Sequence, residues 1–462
     1  MSIADVYCQR PPGMMICKGG TVADNPVADN PVADKPAVRD PFNRERAMAK
    51  TYDGIIIGAG VMGASTAMQL ASAGLKKLLV LEKGPGVGFG STGKSSACIR
   101  QTYSNYEVVL MAYEALQCFK NWQEFTGLKE PRADFNMCGV LFLMDGSDAA
   151  VPAIMEIQRR AGVVSRLLDP QERGELFPDV DFCSTVLDLD AEDHECAYDL
   201  QVLYEEEGGF ADPVGTATDM LDVARQLGVE VAFKTRVTGV LSQGGRVMGL
   251  EAEREGVKQV CHSPLVINCA GPWAMGLNEL AGAPLKERLV ATRNQIVCKR
   301  FSERLKGTIP MVADMVNGVY FRNDPTGTQI TLGSAREEDE QELVPDPDDY
   351  NEVADAPFRE EKLTTLNHRI STFQGRGEIT SYTGIYTVNL EDYHPIIDES
   401  ELSGFYPVCG FSGHGFKLSP VVGMIVAQRV LGQWGRGKTG VPVDFFRRNR
   451  KKLVTNWGGV MA

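Results

Sequence analysis

Residues 54–63 read GIIIGAGVMG, and this stretch decides the fold. Its first four residues are a short continuous apolar run, of the kind that is buried inside a parallel sheet. The small residues at 65–74 end in a glycine, as many helices do, and residues 78–81 (LLVL) have the character of a second buried strand. The stretch therefore predicts a strand, turn, helix and strand unit of an α/β fold.

The three glycines of this turn follow the G-x-G-x-x-G spacing. Gly58 allows the tight turn, Gly60 lets the backbone approach a pyrophosphate, and Gly63 lets the helix pack close to the strand. Glu82 ends the second strand, 24 residues after Gly58, where an acid can accept a hydrogen bond from a ribose hydroxyl. The spacing predicts a dinucleotide site but does not separate NAD from FAD.

The composition describes an ordinary globular protein. The chain has 462 residues, of which 43% are hydrophobic and 23% charged, enough for one large domain or two intertwined ones. The formal charge of −14 excludes a broad basic face, so neither nucleic acid nor a membrane surface is an expected partner. No apolar run approaches the roughly 18 residues of a membrane-spanning helix, so no membrane insertion is expected.

The eleven cysteines are scattered, without the close pairing typical of metal sites, and no metal is expected. Cys98, Cys138, Cys269 and Cys409 lie in apolar or glycine-rich stretches, which is typical of reduced and buried thiols. A cytoplasmic location is therefore expected.

Four blocks together resemble one known family. Residues 90–103 (GSTGKSSACIRQTY) resemble the second flavin-binding stretch of the D-amino-acid oxidase superfamily, and most closely its sarcosine oxidase branch, both the monomeric enzymes and the β subunit of the heterotetrameric ones. Residues 209–213 (GFADP), 268–273 (NCAGPW) and 409–417 (CGFSGHGFK) are similar to three further blocks of that family. The resemblance implies FAD, held by a discontinuous Rossmann-like domain, with an inserted α+β substrate domain built on an antiparallel sheet.

The resemblance also sets the expected domain organisation. Residues 1–50 contain a tandem VADNP repeat, whose prolines and small polar residues cannot form a packed face, and are expected to be a disordered leader. Apolar strand patterns at 229–237, 265–268 and 406–410, with a helix at 216–227, are assigned to the FAD-binding domain. The expected parts are 52–130, 206–276 and 385–440 for the FAD-binding domain, 131–205 and 277–384 for the substrate domain, and 441–462 for a C-terminal tail.

The glycine turn and the resemblance together assign the cofactor contacts. Near residue 417 a helix begins, and its positive end is expected to point at the flavin, while neighbouring glycines let the backbone press against a flat ring. His414 is expected to shape this loop or to hydrogen-bond the cofactor, rather than to act as a base. The assigned contacts are Gly58, Gly60, Val61, Met62, Gly63, Glu82, Lys83, Ser91, Ser95, Ser96, Val237, Ala270, Gly271, Trp273, Gly410, Gly413, His414, Gly415, Phe416 and Lys417.

Three residues are candidates for contact with a substrate. The resemblance implies that Lys417 and Arg100 bind a substrate carboxylate, for which a guanidinium and an ammonium are suited. The alternative for Arg100 is contact with a flavin phosphate or a structural carboxylate. Tyr386 matches a tyrosine that lines the substrate cavity of the family, and the alternative is a core aromatic with a satisfied hydroxyl.

The sequence departs from the family at several of its functional positions. Gly384 stands where monomeric sarcosine oxidases tether flavin through a cysteine, so FAD is expected to be non-covalent and dissociable. A histidine and a second arginine of the family fall on Gly93 and Ala97. Thr331 aligns with a lysine that activates oxygen, so oxygen reduction loses electrostatic help there unless Arg336 or Lys306 supplies the charge.

These features predict an FAD-dependent oxidation of a secondary or N-substituted amino acid to an imine, by hydride transfer to flavin and then hydrolysis. The expected partners are a small-molecule amine that carries a carboxylate, and oxygen or another electron acceptor. One alternative is an FAD-dependent amine dehydrogenase or complex subunit that uses an acceptor other than oxygen. A lesser alternative is a flavin-binding assembly protein without catalysis, against which Lys417 and Arg100 argue.

Overall fold

A computed structural model describes residues 50–189, 194–301, 309–370 and 377–456. The predicted leader lies outside the described residues except for Lys50. The helices of the described part are α1 Val61–Ser72, α2 Tyr106–Lys120, α3 Trp122–Thr126, α4 Val151–Ala161, α5 Pro170–Leu176, α6 Pro213–Gln226, α7 Ala274–Leu280, α8 Ala356–Arg369 and α9 Gly415–Leu431.

The strands of the described part form four sheets. They are β1 Lys50–Thr51, β2 Gly54–Ile57, β3 Leu78–Leu81, β4 Cys98–Ile99, β5 Asn136–Met137, β6 Val140–Met144, β7 Ser165–Leu167, β8 Gln201–Glu205, β9 Gly209–Phe210, β10 Glu230–Ala232, β11 Arg236–Gln243, β12 Arg246–Arg254, β13 Val257–His262, β14 Val266–Asn268, β15 Leu289–Phe301, β16 Met311–Asp314, β17 Val319–Asn323, β18 Gln329–Ser334, β19 Gly377–Asn389, β20 Ile396–Ile397 and β21 Phe405–Cys409.

A six-stranded sheet carries the predicted dinucleotide unit. Its order is β10-β3-β2-β14-β21-β20, and all pairs are parallel except β20 with β21. β2 and β3 are buried at every residue because helices or loops cover both faces, which explains their uninterrupted apolar sequences. The predicted strands at 54–57 and 78–81 are confirmed.

The predicted strand at 229–237 was wrong in extent. It consists of β10 in the six-stranded sheet and the first residues of β11, which belongs to the four-stranded sheet β1-β13-β12-β11. Between them Lys234 adopts a positive φ of 53°, and the N–H of Thr235 donates to the carbonyl of Glu82 at 2.8 Å. The turn redirects the chain between two sheets, which an apolar pattern alone does not reveal.

An eight-stranded sheet has the order β19-β15-β18-β17-β16-β6-β8-β7 and is antiparallel except for β16 with β6. Its side chains alternate between two faces. Val297, Phe321, Ile330 and Leu332 lie on one face and form a core with residues of α8. The opposite face therefore points away from α8.

The parallel sheet and this antiparallel sheet confirm the expected α/β fold class, while the domain boundaries stay predictions.

Two helices pack against each other beside the parallel sheet. α1 is buried along nearly its whole length because α6 and α9 both contact it, which explains its small residues. Gly423 of α9 lies against Ser65 of α1, and a Cβ at Gly423 would lie 2.6 Å from the Ser65 carbonyl oxygen. The Ser65 hydroxyl donates to the carbonyl of Ser419 at 2.6 Å. The absence of a side chain at Gly423 sets this close approach.

The described part of the predicted C-terminal tail, residues 441–456, packs onto the rest of the protein. Val441 and Phe446 are buried, and the N–H of Ile397 donates to the Phe446 carbonyl at 2.9 Å. Arg450 pairs with the carboxylate of Asp392 at 2.7 Å. No helix of the described residues is long and apolar enough to cross a membrane.

We expect Gly423→Ala to destabilise the protein by about 1–3 kcal/mol, because the new methyl group meets backbone atoms of α1 that cannot move away cheaply. Urea unfolding measures this difference. Gly174→Ala is the matched control, since nothing lies within 4 Å of its Cβ position in α5, and alanine in a helix is expected to stabilise by about 0.5–1 kcal/mol. Equal effects of the two substitutions would contradict the close helix contact.

Candidate active site

A cavity of about 400 Å³ lies where the ends of the parallel strands meet the eight-stranded sheet. It is continuous from Glu82, at the end of β3, to Tyr386 on β19. The predicted cofactor contacts that line it are Gly58, Gly60, Val61, Met62, Glu82, Lys83, Ser91, Ser95, Ser96, Val237, Ala270, Gly271, Trp273, Gly410, Gly413, Gly415 and Phe416. The fold thus gathers residues of the glycine turn and of the 90–103, 268–273 and 409–417 blocks around one space, whereas no residue of the 209–213 block lines it.

The glycine turn holds α1 against the sheet. Gly58 has a φ of 102°, and a Cβ there would lie 2.6 Å from the carbonyl oxygen of Cys269. Gly63 does not line the cavity; its Cβ position lies 1.9 Å from the Gly58 carbonyl oxygen. Gly58 and Gly63 are therefore needed for backbone packing, which places the first turn of α1 at the cavity wall.

Glu82 stabilises the turn as well as lining the cavity. Its carboxylate accepts hydrogen bonds from the N–H groups of Ala59 at 2.8 Å and Gly84 at 2.6 Å. A carboxylate has about four acceptor positions, so two remain for a ribose hydroxyl. The sequence analysis missed Thr92, whose hydroxyl accepts from the N–H of Val61 in the first turn of α1 at 3.0 Å.

The N-termini of two helices face the cavity. Gly60, Val61 and Met62 at the start of α1 line one part, and Gly413 and Phe416 at the start of α9 line another. Helix N-termini carry unpaired N–H groups and a partial positive charge, which suit a pyrophosphate and the electron-rich part of a flavin ring. The cavity therefore fits FAD: the α1 turn and Glu82 would hold the dinucleotide part, and the 410–416 loop the ring.

Lys83 and Trp273 both contact Asp348, in the segment between β18 and α8. The Lys83 ammonium lies 3.5 Å from the centroid of the Trp273 ring and pairs with Asp348. The Trp273 indole N–H donates to the same carboxylate at 3.1 Å, and Arg236 pairs with it at 3.2 Å. Asp348 thus holds together three residues that line the cavity, a role that no sequence motif indicated.

Lys417 and Arg100 do not line the cavity but lie close to residues that do. The Lys417 ammonium donates to the carbonyl of Gly413 at 3.5 Å, and Arg100 interacts electrostatically with Tyr386. Burial, helped by the charge of Arg100, lowers the pKa of Lys417 to about 7, while Cys98 and Glu340 act in the opposite direction. The structure therefore brings the two predicted anchors together as a buried cationic pair beside the cavity.

Arg100 also has partners within the protein. Its guanidinium donates to the carbonyl of Thr102 and lies 4.3 Å from the ring of Tyr103. The charge of Arg100 opposes the rise that burial causes in the pKa of Glu205. These contacts fix the orientation of the Arg100 guanidinium, so its charge is held in one direction.

The face of the eight-stranded sheet that points away from α8 carries polar and aromatic side chains toward the cavity. Tyr386 lines the cavity, and burial raises the pKa of its phenol. Tyr320 lies nearby, with its hydroxyl 2.8 Å from that of Ser96. Arg322, two residues along the same strand, donates from Nε to the carbonyl of Ser96 at 2.7 Å. The sequence analysis missed Tyr320 and Arg322, because only the strand register places them on this face.

The structure shows which charged residues surround Thr331, the residue that aligns with the oxygen-activating lysine of the family. Thr331 is buried on β18 and pairs across the strands with Arg322 of β17. Arg336, an expected substitute for the missing lysine, instead pairs with Glu361 of α8 at 2.6 Å. The other expected substitute, Lys306, lies outside the described residues. Among the described residues, Arg322 is therefore a cation that lies next to Thr331.

Close packing surrounds both His414 and Gly93. The His414 ring is buried, does not line the cavity, and contacts the rings of Tyr103 at 5.4 Å and His394 at 5.7 Å between centroids. A Cβ at Gly93 would lie 2.7 Å from the Gly88 carbonyl oxygen, so a larger residue would disturb that turn. A direct contact of His414 with the cofactor stays a prediction.

Comparison with known proteins identifies the class that this fold and cavity define. Residues 53–429 match the model of a family described as FAD dependent oxidoreductase. The chain belongs to this family, and FAD is its cofactor.

Several individual proteins of known description are similar to this chain. The chain is 29% identical over 411 residues to FAD-dependent oxidoreductase domain-containing protein 1 of Xenopus laevis, covering 82% of this chain and 79% of that protein. It is 26% identical to sarcosine oxidase subunit beta of Rhodobacter capsulatus, covering 82% and 85%. Human mitochondrial sarcosine dehydrogenase is 26% identical over 84% of this chain, which matches only 40% of that longer protein.

Among solved structures, L-proline dehydrogenase from P. horikoshii is similar with a TM-score of 0.71 and 25% identity, covering 87% of this chain and 97% of that one. The predicted resemblance to this superfamily and to its sarcosine oxidase branch is confirmed.

We expect Lys417→Met to raise the melting temperature at pH 6 and the gain to shrink toward pH 10. Between pH 7 and the usual lysine value the unfolded chain binds a proton that the folded chain does not, so the stability contributed by Lys417 rises with pH. Removing the buried charge relieves a penalty on the order of a few kcal/mol at low pH. Thermal unfolding across this pH range measures the difference between variant and wild type.

Lys129→Met, at an exposed lysine, is the control for the pH dependence of the melting temperature. Its difference from the wild type is expected to be small and independent of pH. A difference for Lys417→Met that does not vary with pH would show that Lys417 stays protonated throughout.

Proposed function

We propose that the protein oxidises the amine of a secondary or N-substituted amino acid, with FAD as the acceptor of a hydride equivalent. The observation that carries the proposal is the buried pair of Lys417 and Arg100 beside the flavin cavity. Two cations that are buried near each other favour an anion between or beside them. A substrate carboxylate has the charge and the hydrogen-bonding geometry for this position.

The chemistry requires the protein to bind, orient and desolvate the substrate. Bound FAD would supply the hydride acceptor for oxidation at the carbon next to the substrate nitrogen, and water would hydrolyse the imine product. Lys417 and Arg100 would hold the carboxylate, which fixes the distance of the amine from the ring. Tyr386 and Tyr320 would enclose the substrate carbon chain on the sheet side and exclude water.

A second candidate function is that of an amine dehydrogenase, or of a complex subunit, with an acceptor other than oxygen. Thr331 favours it, because a neutral side chain occupies the aligned position of the oxygen-activating lysine. Arg322 on the neighbouring strand opposes it, because its charge lies beside Thr331. Two similar proteins are themselves described as dehydrogenases, of sarcosine and of L-proline.

A cytoplasmic location remains part of the proposal. All nine cysteines for which the structure describes a state are free. Free buried thiols are typical of proteins in a reducing compartment.

The proposed function predicts that flavin is reduced only by amines that carry a carboxylate. Holoenzyme reconstituted with FAD is mixed anaerobically with N-methyl amino acids, with secondary amino acids, and with the matching amines that lack a carboxylate. We expect bleaching of the flavin absorbance by a member of the first two groups, and a rate constant per substrate concentration about 10- to 100-fold lower in Lys417→Met or Arg100→Met. Lys129→Met is the control and is expected to match the wild type.

Equal reduction by amines with and without a carboxylate would overturn the role of the cationic pair, and a protein that stays colourless with FAD would overturn the function itself. Oxygen uptake then separates the two candidates. Peroxide production indicates an oxidase, whereas dye reduction without peroxide indicates a dehydrogenase.

The structure further predicts a flavin that is not covalently bound. Gly384, which the resemblance aligns with the tether cysteine of monomeric sarcosine oxidases, lines the cavity. Burial raises the pKa of the two cysteines that line the cavity, Cys269 and Cys409, to about 12, so their thiols stay protonated and are poor nucleophiles. We expect acid precipitation to release all flavin absorbance into the supernatant; a yellow protein pellet would be the contrary result.

A further inference from the structure

Four potential metal ligands converge away from the flavin cavity, three from residues close in sequence and one from α8. Cys183, His194, Cys196 and His368 each offer one ligand atom, and these atoms all lie within 4.8 Å of one another. None of the four lines the cavity. The sequence showed no close cysteine pairing and predicted no metal, because the spacing of these residues matches no short metal-binding motif.

Three of the four residues belong to two chain segments that run side by side. The N–H of Ser184 donates to the carbonyl of Ala197 at 2.8 Å, and the hydroxyl of Thr185 donates to the carbonyl of Glu195 at 2.9 Å. These hydrogen bonds hold the residues on either side of the ligands in register. Cys183 therefore faces the segment that carries His194 and Cys196.

The fourth residue comes from the last turn of α8. His368 precedes Arg369, whose guanidinium donates to the carbonyls of Asp181 at 2.8 Å and Cys183 at 2.7 Å. Arg369 also forms a fully buried ion pair with Asp314 at 2.8 Å. This ion pair fixes the backbone of Cys183 against α8, so the ligand positions are held by the fold independently of any ion.

The distances suit a tetrahedral ion. Zinc bonds of about 2.3 Å to sulfur and 2.0 Å to nitrogen place neighbouring ligand atoms roughly 3.3–3.8 Å apart. Cys183 Sγ and His194 Nε2 are already 3.2 Å apart, and the thiols of Cys183 and Cys196 are hydrogen-bond partners. Small side-chain rotations would bring all four ligand atoms to these distances.

One polar atom at the cluster is buried without a hydrogen bond in the described part of the chain, namely Nε2 of His368. A buried imidazole nitrogen without a partner is costly, and a metal ion would satisfy it. The ring of His368 lies 4.7 Å from that of His194, centroid to centroid. The two imidazoles and two thiols thus form a compact donor set in which one nitrogen already lacks a protein partner.

We propose that Cys183, His194, Cys196 and His368 bind one zinc ion as a structural site. Two thiolates and two neutral imidazoles are the ligands that zinc prefers, and together they neutralise the charge of the ion. Because all four positions are taken by protein, the ion has no open position for a substrate, which distinguishes a structural site from a catalytic one. The Asp181 carboxylate, which accepts from the N–H of Cys183 at 2.9 Å, orients the loop from outside the ligand set.

The role of the site follows from where α8 lies. α8 packs on the face of the eight-stranded sheet opposite to Tyr386 and Arg322, through the core that contains Phe321 and Leu332. The ion would tie Cys183, His194 and Cys196 to α8 at one end of this core. We therefore expect metal loss to lower stability while the flavin stays bound.

Metal analysis of the full-length holoprotein, purified without chelator and with reductant, tests the proposal. We expect about one zinc per chain in the wild type, and a loss to background in Cys196→Ser and in His368→Ala. Cys118→Ser, at a cysteine of α2 outside the cluster, is the matched control and should keep its zinc. The flavin content of each variant reports whether it is folded.

Cobalt gives a second measurement that does not depend on any variant. Co²⁺ loaded in place of zinc should produce thiolate charge-transfer absorption and tetrahedral d–d bands in the wild type and in Cys118→Ser. Wild-type protein that contains no zinc, and that shows no such bands after loading with Co²⁺ under reducing conditions, would overturn the site. Zinc content that is equal in wild type, Cys196→Ser and His368→Ala would do the same.

Discussion

The structure depends on the backbone contact within the glycine turn. Side chains at Gly58 and Gly63 would overlap carbonyl oxygens of Cys269 and of Gly58 itself, so only glycine lets α1 begin this close to β2 and β14. The contact places the first turn of α1 at the cavity, and Gly423 lets α9 pack beside α1. Residues at two helix N-termini consequently line one space, where both helices would supply N–H groups and positive potential to a bound dinucleotide.

Near the cavity the protein places positive charges, although its net charge is negative. The chain has a formal charge of −14, yet Lys417 and Arg100 are buried together beside the cavity and Arg322 lies beside Thr331 on the adjoining sheet. Burial removes water and strengthens the field of each cation. Burial and the charge of Arg100 lower the pKa of Lys417, since both disfavour its charged form. An anionic substrate can therefore bind against the global charge, because local charges in a dry site outweigh distant screened ones.

Different parts of the architecture were predictable to different degrees. The apolar runs of β2 and β3 and the glycine turn were predicted, since each depends on short-range backbone geometry. Most of the assigned cofactor contacts line the cavity, but their contact with FAD stays a prediction. The strand expected at 229–237 was not, because a turn at Lys234 divides it between two sheets. Arg322 and Tyr320 were missed for a related reason: their place beside Ser96 follows from the strand register, which the alternation of residues along one strand does not fix.

The sequence alone predicted the α/β fold, because spaced glycines and buried strands impose local conformations that few other residues allow. The family and the FAD cofactor were predicted from the resemblance of four sequence blocks, since the glycine spacing does not separate NAD from FAD. Only the tertiary structure decided which distant side chains meet. It put Lys417 beside Arg100, Arg322 beside Thr331, and the ligand atoms of Cys183 and His368 within 4.8 Å of each other. Such encounters depend on how sheets and helices pack, and residues far apart in the chain carry no local signal of the partners that packing gives them.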